Sequence, residues 1–195
     1  MSKIRKFRIS PRPASVLKNL KALTGDAHTT PELESAVDSE MRRAGDLYAT
    51  AALYDTLEPG RTPEALADLW QKPADGAAEP VALTLYAATI GPRLEDALGD
   101  ALSRGEGLMS RVLTAVGEEA ADQAAAFVQK LVAEEAVQDG LELYPRREAA
   151  VDRRGEALAL LGADKIGVTL DAAGHLTPRF TRVGGILWYP AKKRK

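Results

Sequence analysis

With 195 residues, 45% of them hydrophobic, the chain is long enough to bury one core, so a single domain over residues 1–190 is expected, ahead of a basic tail at 191–195. Its 26 basic and 28 acidic residues leave a net charge of −2, which gives no electrostatic reason for general affinity to nucleic acid or to an anionic membrane. The absence of cysteine excludes disulfides, thiolate metal sites and a cysteine nucleophile, and it suits a reducing cytoplasm.

In chain order, Ile4, Phe7 and Ile9 stand among basic residues in a short segment that predicts an edge strand. "SPRP" breaks it, because proline cannot donate to a ladder. In "TTPELESAVDSEMRRAGDLY", Thr30 can cap a helix, Pro31 suits its first position and Glu32 complements its dipole. Leu33, Val37, Met41 and Ala44 follow at helical spacing, so an amphipathic helix is expected. Residues 48–59 are ambiguous between states, and "EPGRTPEALADLWQKPADGAAEP" reads as a connector with a short helix starting at Thr62-Pro63. Val81, Leu83, Leu85 and Ala87 then alternate as a strand that stops at Gly91-Pro92, and a helix resumes at Arg93.

From Leu108 the apolar positions Val112, Val116, Ala120, Ala124 and Leu131 describe one long helix, in which Gly117 marks a bend or a break. The small Ala120 and Ala124 admit close approach of another element. A polar connector around "LYPRREAAVD" leads to a short helix over 148–161, with Gly162 as its C-cap. Ile166, Val168 and Leu170 alternate as a strand, residues 171–174 supply turn chemistry, and a second strand is expected over 180–188. Those two strands are expected to complete the sheet together. Gly184-Gly185 marks a bulge or a close approach of backbone or ligand. Helices and strands interleave without a regular βαβ period, so the class is α+β.

No apolar run approaches the roughly 20 residues of a bilayer span, and the charged N-terminus leads into proline and not into an apolar signal core. A soluble, cytoplasmic protein is expected. His28 and His175 lack the spacing of a zinc helix, so no metal site is expected. "ATIGPRLE" places one glycine between strand and helix but lacks both Gly-Lys-Ser/Thr and the three glycines of a dinucleotide fingerprint. It reads as a strand-to-helix turn or a ligand-facing one.

Asp122 lies two positions from Ala120, about 200° around the helix, and so projects from the polar face as a surface charge. Tyr144, Arg146 and Arg147 form a compact aromatic and basic group on a connector, open to reading as a ligand contact or a solvated loop. Trp188 and Tyr189 anchor the core or an interface. The serines, threonines and lysines show no nucleophile signature.

"TLYAATIGPRLEDAL", "VGEEAADQAAAFVQKL", "ALALLGADKIGVTLDAAGHLTPRF" and "VGGILWYP", in that order, resemble the activation domain of cobalamin-dependent methionine synthase and its free-standing relatives. The resemblance implies a single domain with a twisted antiparallel sheet flanked by helices. It implies binding of S-adenosylmethionine and docking on a cobalamin-carrying methionine synthase or other corrinoid protein, with an electron from a flavodoxin-like donor, so that inactive cobalamin is reductively methylated. The domain's contribution would be positioning, as an accessory component acting in trans.

Asp122 falls where the family has an acidic ligand contact, and Gly184-Gly185 borders its ligand groove, so Asp122, Tyr144, Arg146, Arg147, Gly184 and Gly185 are the expected contacts. The connector "GLELYPRREAAVD" lacks the Gly-Tyr of the family's Arg-x-x-x-Gly-Tyr loop, with Tyr144 as the available substitute. "DAAGHLTPRFTRVGG" also replaces the family's Thr-Glu-Ser and Ser-Val-Ser-Gly stretches. These departures leave a second reading, a non-enzymatic docking or scaffold protein that has lost S-adenosylmethionine. A third is an unrelated small-ligand enzyme with a cleft near Gly91 and Gly184.

Overall fold

The computed structural model describes residues 1–25, 30–73 and 78–191, so His28 and the basic run at 192–195 lie outside the described residues. In chain order the elements are β1 (Ser2–Arg5), α1 (Pro13–Thr24), α2 (Pro31–Gly45), β2 (Ala51–Leu57), β3 (Ala82–Thr89), α3 (Arg93–Ser103), α4 (Gly107–Gln138), β4 (Leu141–Leu143), β5 (Arg147–Glu148), α5 (Arg154–Leu161), β6 (Thr169–Leu170), β7 (Leu176–Thr177) and β8 (Thr181–Pro190). Short 3-10 helices occupy Glu64–Trp70, Val151–Arg153 and Ala163–Ile166.

The main sheet runs β1-β2-β3-β8-β4, with β5 also paired to β8, and its pairings are antiparallel. This is the α+β class expected. The last strand in sequence is thus a central one in space, which places β8 between β3 and the short β4 and β5.

Both faces of the sheet are covered, and the alternation in β3 assigns its side chains to them. Tyr86 and Ala88 face a core built with α1, α2, α3 and α4, while Leu83, Leu85 and Ala87 face a second core built with Leu66, Leu69 and α5. A strand buried on both sides reads as a nearly continuous apolar run, as residues 82–89 do.

Helix α2 begins as predicted: Thr30 accepts from the Leu33 amide at 3.3 Å, Pro31 opens the helix, and Val37 and Ala44 are buried. Helix α1 was not anticipated. The proline run that ends the β1 segment also supplies Pro13 at the helix start, and Gly25 closes it in the left-handed region (φ +70°), its amide on the Lys21 carbonyl. The ambiguous 48–59 region contains β2, which lies between β1 and β3 and is buried along most of its length.

Two expectations near the C-terminus are corrected. Residues 163–166 form a 3-10 turn and not a strand, and only Thr169 and Leu170 are extended. They pair with Leu176 and Thr177 in a separate two-stranded ribbon, so the pair of strands expected to complete the sheet together is split, and β8 alone joins it. The turn itself is built as its residues predict. The Asp171 carboxylate accepts from the amides of Ala173 and His175, each at 2.8 Å. The short helix predicted over 148–161 starts later, at Arg154, because Arg147 and Glu148 pair with β8. Its Gly162 cap is left-handed at φ +57°.

Gly117 does not break α4, which is continuous for 32 residues. A side chain there would run into three carbons of the Phe180 ring, which is fully buried. The glycine gives that ring its seat, and so fixes where the long helix crosses the start of β8.

Candidate functional site

Helix α4 next presents Glu118 and Asp122, one turn apart, to the same strand. Arg182 of β8 reaches between them: its Nε donates to Asp122 Oδ1 at 2.8 Å and its Nη2 to Glu118 Oε2 at 2.6 Å. Glu148 of β5 adds a third carboxylate, 3.3 Å from Arg182 Nε. Arg146 completes the group, with Nη1 donating to Gln129 Oε1 at 3.3 Å and Nη2 lying 3.9 Å from Asp122 Oδ1. Burial works against the Arg182 charge, but the hydrogen bonds to Asp122 and Glu118 outweigh it and hold the guanidinium firmly protonated.

Three carboxylates therefore surround two guanidiniums. Arg182 is the covered member, with 14% of its side chain exposed, whereas Asp122 and Glu148 keep 40% and 54%. Excess negative charge thus faces solvent.

Beneath the cluster lies Tyr86, fully buried, with a hydroxyl that has no hydrogen-bond partner among the described residues. Burial pushes its pKa up to about 12; the nearby charges have smaller effects that offset one another, Arg146 and Arg182 lowering it and Glu148 and Asp122 raising it, so it remains a protonated donor. A buried hydroxyl left unpartnered costs about 1–3 kcal/mol. Such a group at the base of a charged, partly open cluster marks this as the place to look for a ligand.

The expected contacts divide between the two sides of the sheet. Asp122 and Arg146 come together at the cluster, and Asp122 is more than the surface charge its helical position predicts, since it holds Arg182. Tyr144 lies in the second core, where its hydroxyl donates to the Ala78 carbonyl at 2.9 Å and its ring stacks on Tyr189. Arg147 donates to the Gln71 carbonyl at 2.5 Å, while its neighbour Glu148 turns to Arg182.

Gly184 and Gly185 sit in regular register with no bulge, Gly184 opposite Tyr86 and Glu148. A side chain at Gly184 would collide with the Arg147 carbonyl, and one at Gly185 would come 2.8 Å from Leu83. The close backbone approach predicted there is made by the chain itself, through β5.

Trp188 is buried in the core with its indole donating to Thr84 Oγ1 at 2.7 Å. Gly91 (φ +79°) turns from β3 toward α3 against Ala49, whose Cβ lies 2.8 Å from where a Gly91 side chain would begin. Among the described residues, no group of three or more His, Asp or Glu is placed to hold a metal ion, and no helix is long and apolar enough to cross a membrane.

Sequence reasoning missed Arg182, Glu118, Glu148 and Tyr86. The i, i+4 pair of Glu118 and Asp122 was the available signal.

No family model and no curated protein matches the chain. Among solved structures, it superposes on the crystal structure of the MetH reactivation domain bound to AdoHcy, with a TM-score of 0.64 over 100% of this chain and 80% of that one. The chain has that domain's fold. The sequences share 11% identity, so the likeness is one of architecture.

Proposed function

We propose that the chain is a free-standing counterpart of the reactivation domain, binding S-adenosylmethionine at the cluster of α4, β5 and β8 and acting in trans on a cobalamin-carrying methionine synthase or another corrinoid protein. The observation that carries this reading is the excess of exposed carboxylate above the unpartnered Tyr86 hydroxyl, in a chain that superposes along its whole length on 80% of the AdoHcy-bound domain. When bound, S-adenosylmethionine supplies a methyl group activated by its sulfonium charge. Asp122 and Glu148 are acceptors suited to that cation and to the ammonium of its amino-acid tail. Arg146, paired only loosely, is free to take the tail's carboxylate. Arg182 keeps the carboxylates fixed, and Tyr86 offers a hydrogen bond from below. The Gly184 backbone does not contribute, because Arg147 covers it.

Calorimetry with S-adenosylmethionine and S-adenosylhomocysteine, with and without a corrinoid partner, tests this. Saturable heat is expected, weakened about tenfold in Asp122→Asn, which removes a charge but leaves Arg182 paired with Glu118. Heat in neither mixture overturns the reading.

A second reading is favoured by the same geometry. Asp122 is already held by Arg182, and β5 lies over Gly184, so a docking protein that keeps the fold without the ligand is consistent with both. That reading expects partner binding indifferent to S-adenosylmethionine, and it fails if the ligand raises Tm by several degrees.

A further inference from the structure

The basic residues near the N-terminus divide into two sets. Lys3 and Arg5 both donate to the Lys165 carbonyl, at 2.9 and 2.7 Å, and Arg12 pairs with Glu119 at 3.0 Å. Lys6 and Arg8 have no side-chain partner among the described residues. On α2 the same contrast recurs, since Arg43 pairs with Glu40 at 3.5 Å while its neighbour Arg42 has no side-chain partner among the described residues. The three unpaired cations converge on one groove of about 520 Å³, between residues 6–11, the end of α2 and residues 48–50, and none of its lining residues is acidic. Its apolar walls come from Phe7, Ile9 and Met41.

Nothing about this segment is loose. The Phe7 ring stacks on Phe127 of α4 with centroids 4.2 Å apart, the Lys6 amide donates to the Thr50 carbonyl at 2.9 Å, and Thr50 Oγ1 donates to the Phe7 carbonyl at 2.7 Å. Between these ties Lys6 is held at φ +58°, the one non-glycine residue with positive φ among those described. Tyr48, also in the groove wall, has a buried hydroxyl without a partner among the described residues. Held backbone strain and an unsatisfied buried group are both costs, and both fall at the place where like charges are left uncompensated.

We propose that this groove binds a small phosphorylated ligand, its phosphate held by Lys6, Arg8 and Arg42 and its flat or apolar body resting on Ile9 and Met41. The volume suits a ligand of one or two rings. Converging guanidinium and ammonium groups favour a multiply charged phosphate, and the apolar walls favour an ester over the free anion. The site involves none of the residues of the α4, β5 and β8 cluster, so either assignment can fail without the other.

The test uses the full chain and a fluorescent aryl phosphate, 1-naphthyl phosphate, with 1-naphthol and inorganic pyrophosphate as comparisons. Saturable binding of the phosphate ester is expected. It should weaken with added salt, be displaced by pyrophosphate, and be absent for 1-naphthol. The double variant R8Q/R42Q should bind about tenfold more weakly or less, while R61Q, remote from the groove, should bind as the parent does. Both altered arginines are exposed, so unfolding curves of the double variant should match the parent. No saturable binding of the ester, equal binding of 1-naphthol, or binding unchanged in R8Q/R42Q overturns the proposal. So does binding of an acidic peptide where the ester does not bind.

Discussion

Helix α4 meets β8 and the residue just before it in two contacts that are neighbours in sequence and opposite in kind. At Gly117 the contact is dry: a missing side chain on the helix receives the whole Phe180 ring, and neither residue carries a charge. One residue on along the helix and two on along the strand, Glu118 and Arg182 make a charged contact that stays partly open to water. The dry contact depends on shape and admits no alternative occupant. The charged one has lone pairs and exposed oxygens to spare, so it can exchange partners without dismantling the fold. Architecture and the proposed binding are thus carried by neighbouring residues of one helix and of the chain entering one strand.

Removing the dry contact should have the largest effect. Phe180→Ala empties a fully enclosed seat and should cost about 3–5 kcal/mol, read as a lowered denaturation midpoint with an unchanged slope. Gly117→Leu should also destabilise, by overpacking. A Gly117→Ala change combined with Phe180→Leu should lose less than the sum of the separate losses, because the smaller side chain makes room for the new methyl. Strict additivity in that cycle would mean that the two residues do not share one seat.

What the sequence disclosed follows the same division. β3 and α2 were legible because their patterns are local: an apolar run with strand spacing, and a Thr-Pro start with a helical stripe. α1 had a signal too, in Pro13, Val16, Leu20 and Gly25, but it opens on the proline that reads as the end of the preceding strand. The ribbon of β6 and β7 was misassigned because strand residues and turn residues specify a hairpin without naming its partner sheet. At the site, Asp122 and Arg146 could be nominated as residues. Their relation could not, since Arg182 lies 60 positions from Asp122 and only the antiparallel insertion of β8 unites them. Gly184 and Gly185 were legible as a close approach, and what approaches is backbone brought in by β5.

Breaking the charged contact should cost less than emptying the dry one. Arg182→Met leaves Glu118, Asp122 and Glu148 facing one another without their central cation, yet all three retain access to water. A loss of about 2 kcal/mol is expected, smaller at high salt, where the remaining carboxylates are screened from each other. A loss equal to that of Phe180→Ala and insensitive to salt would place Arg182 among the shape-determining residues.

The two unpartnered tyrosines give a smaller effect that depends on pH. Burial raises both Tyr48 and Tyr86 to about 12, above the ordinary value of 10.0. Between those values the unfolded chain has released protons that the folded chain still holds, so stability should be intact below pH 10 and decline as pH rises toward 12, by up to one proton per tyrosine. In the double variant Y48F/Y86F that decline should flatten.

Tyr86→Phe alone sharpens the comparison at neutral pH. Deleting a buried hydroxyl that bonds to nothing removes a desolvation cost and leaves the ring's packing in place, so the ligand-free chain should gain up to about 1 kcal/mol. If the cluster above it binds S-adenosylmethionine as proposed, the same variant should bind that ligand more weakly, so the gain in unfolding free energy and the loss in affinity should appear together. A gain in stability with affinity unchanged would separate Tyr86 from the ligand. A loss of stability would mean that the hydroxyl is satisfied within the folded chain and has no donor to spare for a ligand.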